Sequence, residues 1–314
     1  MATMTTSDVR LSALPPASGQ AGLRGVIASE FTKIRSVRST YFTIAALVVV
    51  SVGIATLIGF GISQTIHNQP WQKAGTDGTQ SILIPFFELG QLIIAVVGAM
   101  AITSEYSTGM IRTSLTAMPR RGTVYLAKLI VLTVVSFVIS VVTSFLAFFV
   151  GSLTLGNSGV AGSLFHNVTV PRDVNMSPGP GGPNGQPHYQ FIGSEVITPA
   201  HVLTAIIGSA LFVTVVALIA FGLGAIIRHT AGAITSAIGL MFVLSIIVQI
   251  LPQTWRDDII RFMPDAAGRV ISSTLPQHDD MVHLWSTWPQ FLVTVIWMVV
   301  FVGVGGYLFR KRDA

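Results

Sequence analysis

Six stretches of the chain, at about 41 to 63, 81 to 103, 129 to 155, 202 to 227, 230 to 251 and 289 to 309, carry almost no charge over 20 residues or more. Each is long enough to cross the roughly 30 Å hydrocarbon layer of a bilayer as a helix. Lipid offers nothing to an unpaired backbone amide, so only helices and closed barrels cross it. Barrel strands alternate apolar and polar residues, and these stretches do not. The sequence therefore predicts an all-α integral membrane protein with six transmembrane helices. No remaining stretch has a periodic core of its own, so residues 25–314 read as a single transmembrane domain. Residues 1–24 read as a disordered N-terminal tail, since they are polar, hold SALPPASGQ and lack the short apolar core of a signal peptide.

Charge sets the expected orientation, because cytoplasmic flanks retain Lys and Arg. With the N-terminus inside, Arg10, Arg24, Lys33, Arg35, Arg38, Arg112, Arg120, Arg121, Lys128, Arg228, Arg310, Lys311 and Arg312 are cytoplasmic, 13 of the 18 basic residues. The outer segments keep five basic residues and eight acids, among them Asp77, Asp265, Asp279 and Asp280. Both termini are thus expected in the cytoplasm, with the chain in the cell (inner) membrane. The net charge of +5 then belongs to a membrane face and calls for no nucleic acid.

Ahead of the first span, Ile27, Phe31, Ile34 and Tyr41 fall on one helical face while Lys33, Arg35 and Arg38 lie off it. That pattern predicts an amphipathic interfacial helix with its basic side toward lipid headgroups. On the other side, VPRDVNMSPGPGGPNGQPHYQ is dense in Pro and Gly and is expected to be irregular and mobile. LPQTWRDDIIRFMPDAAGRVISS, before the last span, predicts short outer helices, one of them started at Pro264.

Chemistry-bearing motifs are sparse. The chain has no Gly-Lys dipeptide and hence no P-loop; it has no cysteine; and its seven histidines lack ligand spacing. No catalytic, cofactor or metal site is expected on it. The informative segment is SEYSTGMIRTSLTAMPRRG, residues 104–122, which interrupts two apolar runs with Glu105, Arg112, Arg120 and Arg121. Tyr106, Met110, Ile111 and Leu115 have helix-compatible spacing, Gly109 permits a bend, and Pro119 ends the element. The segment reads as a partner-binding helix in a connection of about 25 residues. It also reads as a solvated loop whose arginines only obey topology.

Glu105-Tyr106-Ser107-Thr108-Gly109-Met110-Ile111-Arg112, followed by Pro119-Arg120-Arg121 and Lys128, resembles the inner loop of ABC transporter permeases of the type-2 exporter family. SEFTKIRSVRSTYF resembles that family's N-terminal amphipathic helix, RFMPDAAGRVISS its outer segment before the last span, and LFRKRDA its basic C-terminus. The likeness runs from about residue 25 onward; the Pro/Gly-rich loop at 171 to 187 departs from the family's usual short connection. The resemblance implies two permease copies in the membrane and two copies of a separate ABC ATPase subunit that binds ATP and Mg. It further implies that 104–122 is a coupling helix seated in a cleft of the ATPase, with Glu105, Tyr106, Gly109, Ile111, Arg112, Arg120 and Arg121 as coupling residues, the charged ones among them contacting the partner or the membrane-side helices.

Glu88 is an ionisable group inside the second span. With Gln91 three residues on, it reads as part of a substrate path, or else as a group near the interface that binds water or the loop. The scarcity of such groups favours an amphipathic or hydrophobic cargo, such as a drug, antibiotic or lipid-like compound, over small ions. A non-transporting anchor or immunity subunit that recruits an ATPase is the alternative. A secondary transporter fits less well, since no repeated half-sequence is present.

Overall fold

The computed structural model describes residues 22–36, 38–111, 120–177, 188–275 and 284–311. The expected tail falls almost wholly outside them, although helix α1, Leu23–Ser36, already begins within residues 1–24. The other helices are α2 (Arg38–Asn68), α3 (Gly78–Glu88), α4 (Gly90–Ser107), α5 (Arg121–Leu155), α6 (Pro199–Ile227), α7 (Thr230–Ile238), α8 (Leu244–Ile250), α9 (Gln253–Ile260), α10 (Ala266–Ser272) and α11 (Thr287–Lys311). Six helices are long and apolar enough to cross a membrane: α2, α3 with α4, α5, α6, α7 with α8, and α11. Two of these spans are interrupted. Pro85 precedes the break at Leu89 between α3 and α4, and a π-helical turn, Gly239–Val243, joins α7 to α8.

Helix α6 is the axis of the bundle, buried along most of its length. A helix enclosed on all sides has to be apolar all round, and α6 has no charged residue between Pro199 and Ile227. Its neighbours are α4, α5, α11 and the short α10. Lipid gives helices no hydrophobic reason to pair, so their contacts depend on close packing of small residues. Gly98 on α4 shows the limit: a Cβ there would overlap the Ala217 carbonyl of α6. Ala233 and Ala237 on α7 are buried against the same core.

α6 and α7 are joined through Arg228 and His229 alone, the tight hairpin expected from sequence. Arg228 takes the left-handed conformation, φ 59°, that ends a helix. The connection from α4 to α5 is shorter than expected, because α5 starts at Arg121 and absorbs the stretch through Lys128. At 35 residues, α5 is ~52 Å long and projects beyond a ~30 Å hydrocarbon layer.

The Pro/Gly-rich segment corrects the expectation of irregular backbone. Strands β1 (Val168–Ser177) and β2 (His188–Ile197) form an antiparallel hairpin, paired from Val168↔Ile197 to Ser177↔His188. Pro and Gly crowd only residues 178–187, outside the described residues; the flanks carry Val168, Val170, Val174, Tyr189, Phe191 and Val196, which suit strands. Val170 and Ile197 anchor the hairpin in a buried cluster with Ile82, Leu83 and Val202.

At the same end lie α9 and α10. Pro264 stands before the N-cap Asp265 of α10, not inside its first turn as expected. Nearly all of α10 is buried, and Gly268 abuts Phe212 of α6, so this segment folds back into the bundle. The non-helical carbonyls ahead of it need donors. One face of α11 supplies them: Gln290 Nε2 donates to the Arg261 carbonyl at 2.8 Å, Thr294 Oγ1 to Pro264 at 2.7 Å, and Trp297 Nε1 to Phe262 at 2.9 Å.

Candidate functional site

The opposite end of the bundle carries Lys33, Lys128, Arg120 and Arg310, and is the basic end. Here α1 packs across α5, turning Val26, Glu30 and Lys33 inward at spacings of four and three residues. Glu105 arrives from the last turn of α4 and Lys128 from the second turn of α5 and beyond. These four side chains form a ring of alternating charge. Lys33 Nζ donates to Glu30 Oε1 at 2.8 Å and to Glu105 Oε1 at 2.9 Å; Lys128 Nζ donates to Glu30 Oε2 at 2.7 Å and to Glu105 Oε1 at 2.6 Å. Glu30, Glu105 and Lys128 are buried, and only Lys33 reaches solvent, its side chain 35% exposed. Burial pushes the Lys33 ammonium down, but the carboxylates of Glu30 and Glu105 outweigh it and hold its pKa above the ordinary lysine value.

Buried charges survive when each has opposite neighbours and hydrogen bonds. Every member of this ring has two opposite neighbours. The ring fastens together α1, the end of α4 and the start of α5.

The segment after Glu105 divides into inward and outward residues. Tyr106 is half-buried, with the Arg228 guanidinium 5.2 Å from its ring centroid, so it ties α4 to the α6–α7 turn. Gly109 takes φ 70° just after the C-cap Thr108, a left-handed position that favours glycine, and so provides the expected bend. Ile111 is buried with Tyr125, Leu132, Phe221 and Phe309. Met110 and Arg120 are exposed, and Arg121 is half-buried. Arg112, Leu115 and Pro119 lie outside the described residues.

Glu105, Tyr106 and Ile111 are thus turned inward among the helices. Their side chains are engaged within this chain, because the end of α4 is covered by α1, α5 and the α6–α7 turn. On α1, Lys33 departs from the expected headgroup-facing side and turns into the ring. Phe31 is 52% exposed, Arg35 and Arg38 are exposed, and Ile34 is half-buried.

Glu88 is placed far from this ring. Its Oε1 accepts from Arg269 Nε of α10 at 3.3 Å, and Arg269 Nη2 donates to Asp265 Oδ2 at 3.2 Å. Burial pushes the Asp265 carboxyl above the ordinary aspartate range, against hydrogen bonding from Ser245 and the charge of Arg269. Gln91 is buried in the first turn of α4, and its side-chain oxygen has no partner among the described residues.

Sequence reasoning missed Glu30 as a functional residue and took Lys128 for a topological charge. The signal was present in composition. On flanks rich in Lys and Arg, Glu30 and Glu105 carry the opposite sign, and Lys128 directly precedes the uncharged run at 129–155.

Comparison with known proteins bears on the same regions. A family model described as ABC-2 family transporter protein matches residues 26–170, from α1 into β1, and a second model of that description matches residues 192–314, from β2 to the C-terminus. No curated protein matches the chain significantly. Six membrane-spanning helices, and matches that together cover most of the described chain, agree: this protein belongs to the ABC-2 family of transporter proteins and is the membrane permease of an ABC transporter.

Proposed function

We propose that this chain is the membrane half of an ATP-driven exporter in the cytoplasmic membrane, moving an amphipathic or hydrophobic compound outward. On this reading a second permease copy completes the transport path. Two copies of a separate ABC ATPase subunit bind ATP and Mg and dock at the basic end. The observation that carries the reading is the charge ring of Glu30, Lys33, Glu105 and Lys128. A partner pressing on 104–122 at its exposed Met110 and Arg120 displaces the ends of α4 and α5. The ring makes α1 follow, and Tyr106 with Arg228 carries the movement to α6 and α7. Docking and transmission are thus separate tasks of outward and inward residues. The scarcity of charge in the spans, where Glu88 is paired with Arg269, supports an apolar or amphipathic cargo over a small ion.

The test separates the two tasks in the complex purified from its native membrane. Arg112→Glu with Arg120→Glu is expected to lower the amount of ATPase that co-purifies. Glu105→Gln is expected to leave co-purification intact and to remove cargo-stimulated ATP hydrolysis. Native rates of binding and transport in both variants would overturn the coupling assignment. ATPase recruitment without any cargo stimulation in the native complex would instead favour the anchor or immunity subunit.

A further inference from the structure

Beside the charge ring, α1, the start of α2, the last turns of α4 and the first turns of α5 enclose a groove of about 270 Å³. Its head is polar, with Lys33, Ser36, Ser39 and Thr40 around the mouth. Its walls are apolar, with Val97, Met100 and Ala101 on α4 and Val131 and Val135 on α5. From Glu105 back to Val97 the groove follows eight residues of helix, ~12 Å, and from Lys128 to Val135 about 10 Å. Half of a bilayer's hydrocarbon layer is ~15 Å. The groove therefore spans most of one leaflet, from the headgroup level inward. Val97, Met100, Ala101 and Val135 are half-buried, so the groove is open at its side.

Charge selects the head of the occupant. Glu30, Glu105 and Lys128 are buried and, together with Lys33, sum to zero, so the ring itself adds no net charge to the groove. Of its members Lys33 reaches solvent, and the net positive charge beside it is that of the exposed Arg35 and Arg38. An ammonium has three donors, and Glu30 and Glu105 take two of those of Lys33. The third suits a phosphate oxygen. A cationic head would meet the exposed Arg35 and Arg38 beside the mouth.

We infer that this groove is a binding site for an anionic phospholipid of the adjoining leaflet, one acyl chain lying against α4 and α5 and the phosphate on Lys33. The occupant then touches the same ring that joins α1 to α4 and α5, so the lipid composition of that leaflet bears on how firmly α1 is held. This goes beyond the transport reading, and its test involves neither ATPase nor cargo.

The full chain, purified in detergent and stripped of lipid, is titrated with phosphatidylglycerol or with phosphatidylcholine of the same acyl chains, and the one-lipid adduct is read by native mass spectrometry. The native chain is expected to favour phosphatidylglycerol on the order of fivefold, as for one basic group at a lipid surface. Ala101→Trp, which fills the groove, is expected to abolish the preferred adduct. Val135→Trp serves the same purpose from α5 should the first variant fold poorly. Lys33→Gln is expected to bring phosphatidylglycerol down to the phosphatidylcholine level, and Lys33→Arg to retain the preference. Equal adducts of the two lipids on the native chain, or a preferred adduct that survives both tryptophan variants in folded protein, would overturn the inference.

Discussion

Replacing Lys128 by methionine tests how the buried charges at the basic end hold together. Methionine fills nearly the same volume but leaves Glu30 and Glu105 facing each other with Lys33 as their one remaining partner in the ring. Stranding a buried charge in this way costs about 3 to 5 kcal/mol. A clear fall in the melting temperature of the purified chain is the expected outcome. Adding Glu105→Gln to Lys128→Met removes the stranded charge, so the double variant is expected to melt higher than the sum of the two single effects predicts. Sequence made Glu105 conspicuous, because an acid is the wrong sign for a cytoplasmic flank, but it did not reveal the partners. Lys33 and Lys128 reach Glu105 from other helices, Lys128 from 23 residues along the chain. Periodicity separates the faces of α1, an exposed Phe31 side and a Val26, Glu30 and Lys33 side; it does not say which face turns toward α5. An apolar stripe in a membrane protein fits lipid as well as protein, and that ambiguity hides the ring contacts of Lys33 from the sequence.

Among the elements, α10 depends most on groups outside itself. The carbonyl of Pro264 receives Thr294 Oγ1 in a buried setting, and Thr294→Val keeps the shape while removing the donor. An acceptor stranded in this way costs about 1 to 3 kcal/mol, read as a lower melting temperature, with proteolysis at 261–264 as an independent measure. Asp265 stands at the N-cap position of the same helix without a side-chain capping bond, and its raised pKa fixes the sign of a pH effect. A folded state that binds the proton more tightly than the unfolded state has this contribution in full at low pH and loses it as pH rises through the folded pKa. The native chain is therefore expected to gain stability relative to Asp265→Asn as the pH is lowered from neutral to the ordinary aspartate pKa of about 4; parallel melting curves for the two proteins would contradict this. At this scale the sequence was most legible where run length decides, since six apolar stretches gave six spans. It was least legible where a single composition covered two structures. The Pro and Gly of 178–187 masked the strand-forming flanks on either side. The π-helical turn in the fifth span and the break at Leu89 leave hydrophobicity unchanged, so no count of apolar residues shows them.

For the molecule as a whole, the distribution of charge between its two ends sets how it lies in the membrane. The ring, Arg120, Arg228 and Arg310 share one end with both described termini; the hairpin, α9 and α10 share the other, with Asp77, Asp173, Glu195, Asp257, Asp258 and Asp265. Several of these acids have structural duties there. Asp77 caps α3 and accepts from the backbone of Thr274 at 2.6 Å and of Leu275 at 3.0 Å, fastening the segment after α10 to the start of the second span. Those contacts fold equally well on either side of a bilayer, so they do not choose an orientation. The basic residues do, because Lys and Arg beside spans resist translocation whereas Asp and Glu contribute little. With 13 of 18 basic residues at one end or in its terminal tails, that end is expected in the cytoplasm. The absence of cysteine makes the measurement direct. Ser194→Cys on the hairpin and Ser286→Cys ahead of α11 are exposed positions at one end, and Ser107→Cys at the close of α4 is exposed at the other. In intact cells a membrane-impermeant thiol reagent is expected to label the first two and to reach the third only after the membrane is opened. Labelling of Ser107→Cys alone would invert the chain in the membrane, and an ATPase docking at the basic end would then be excluded from the compartment that holds ATP.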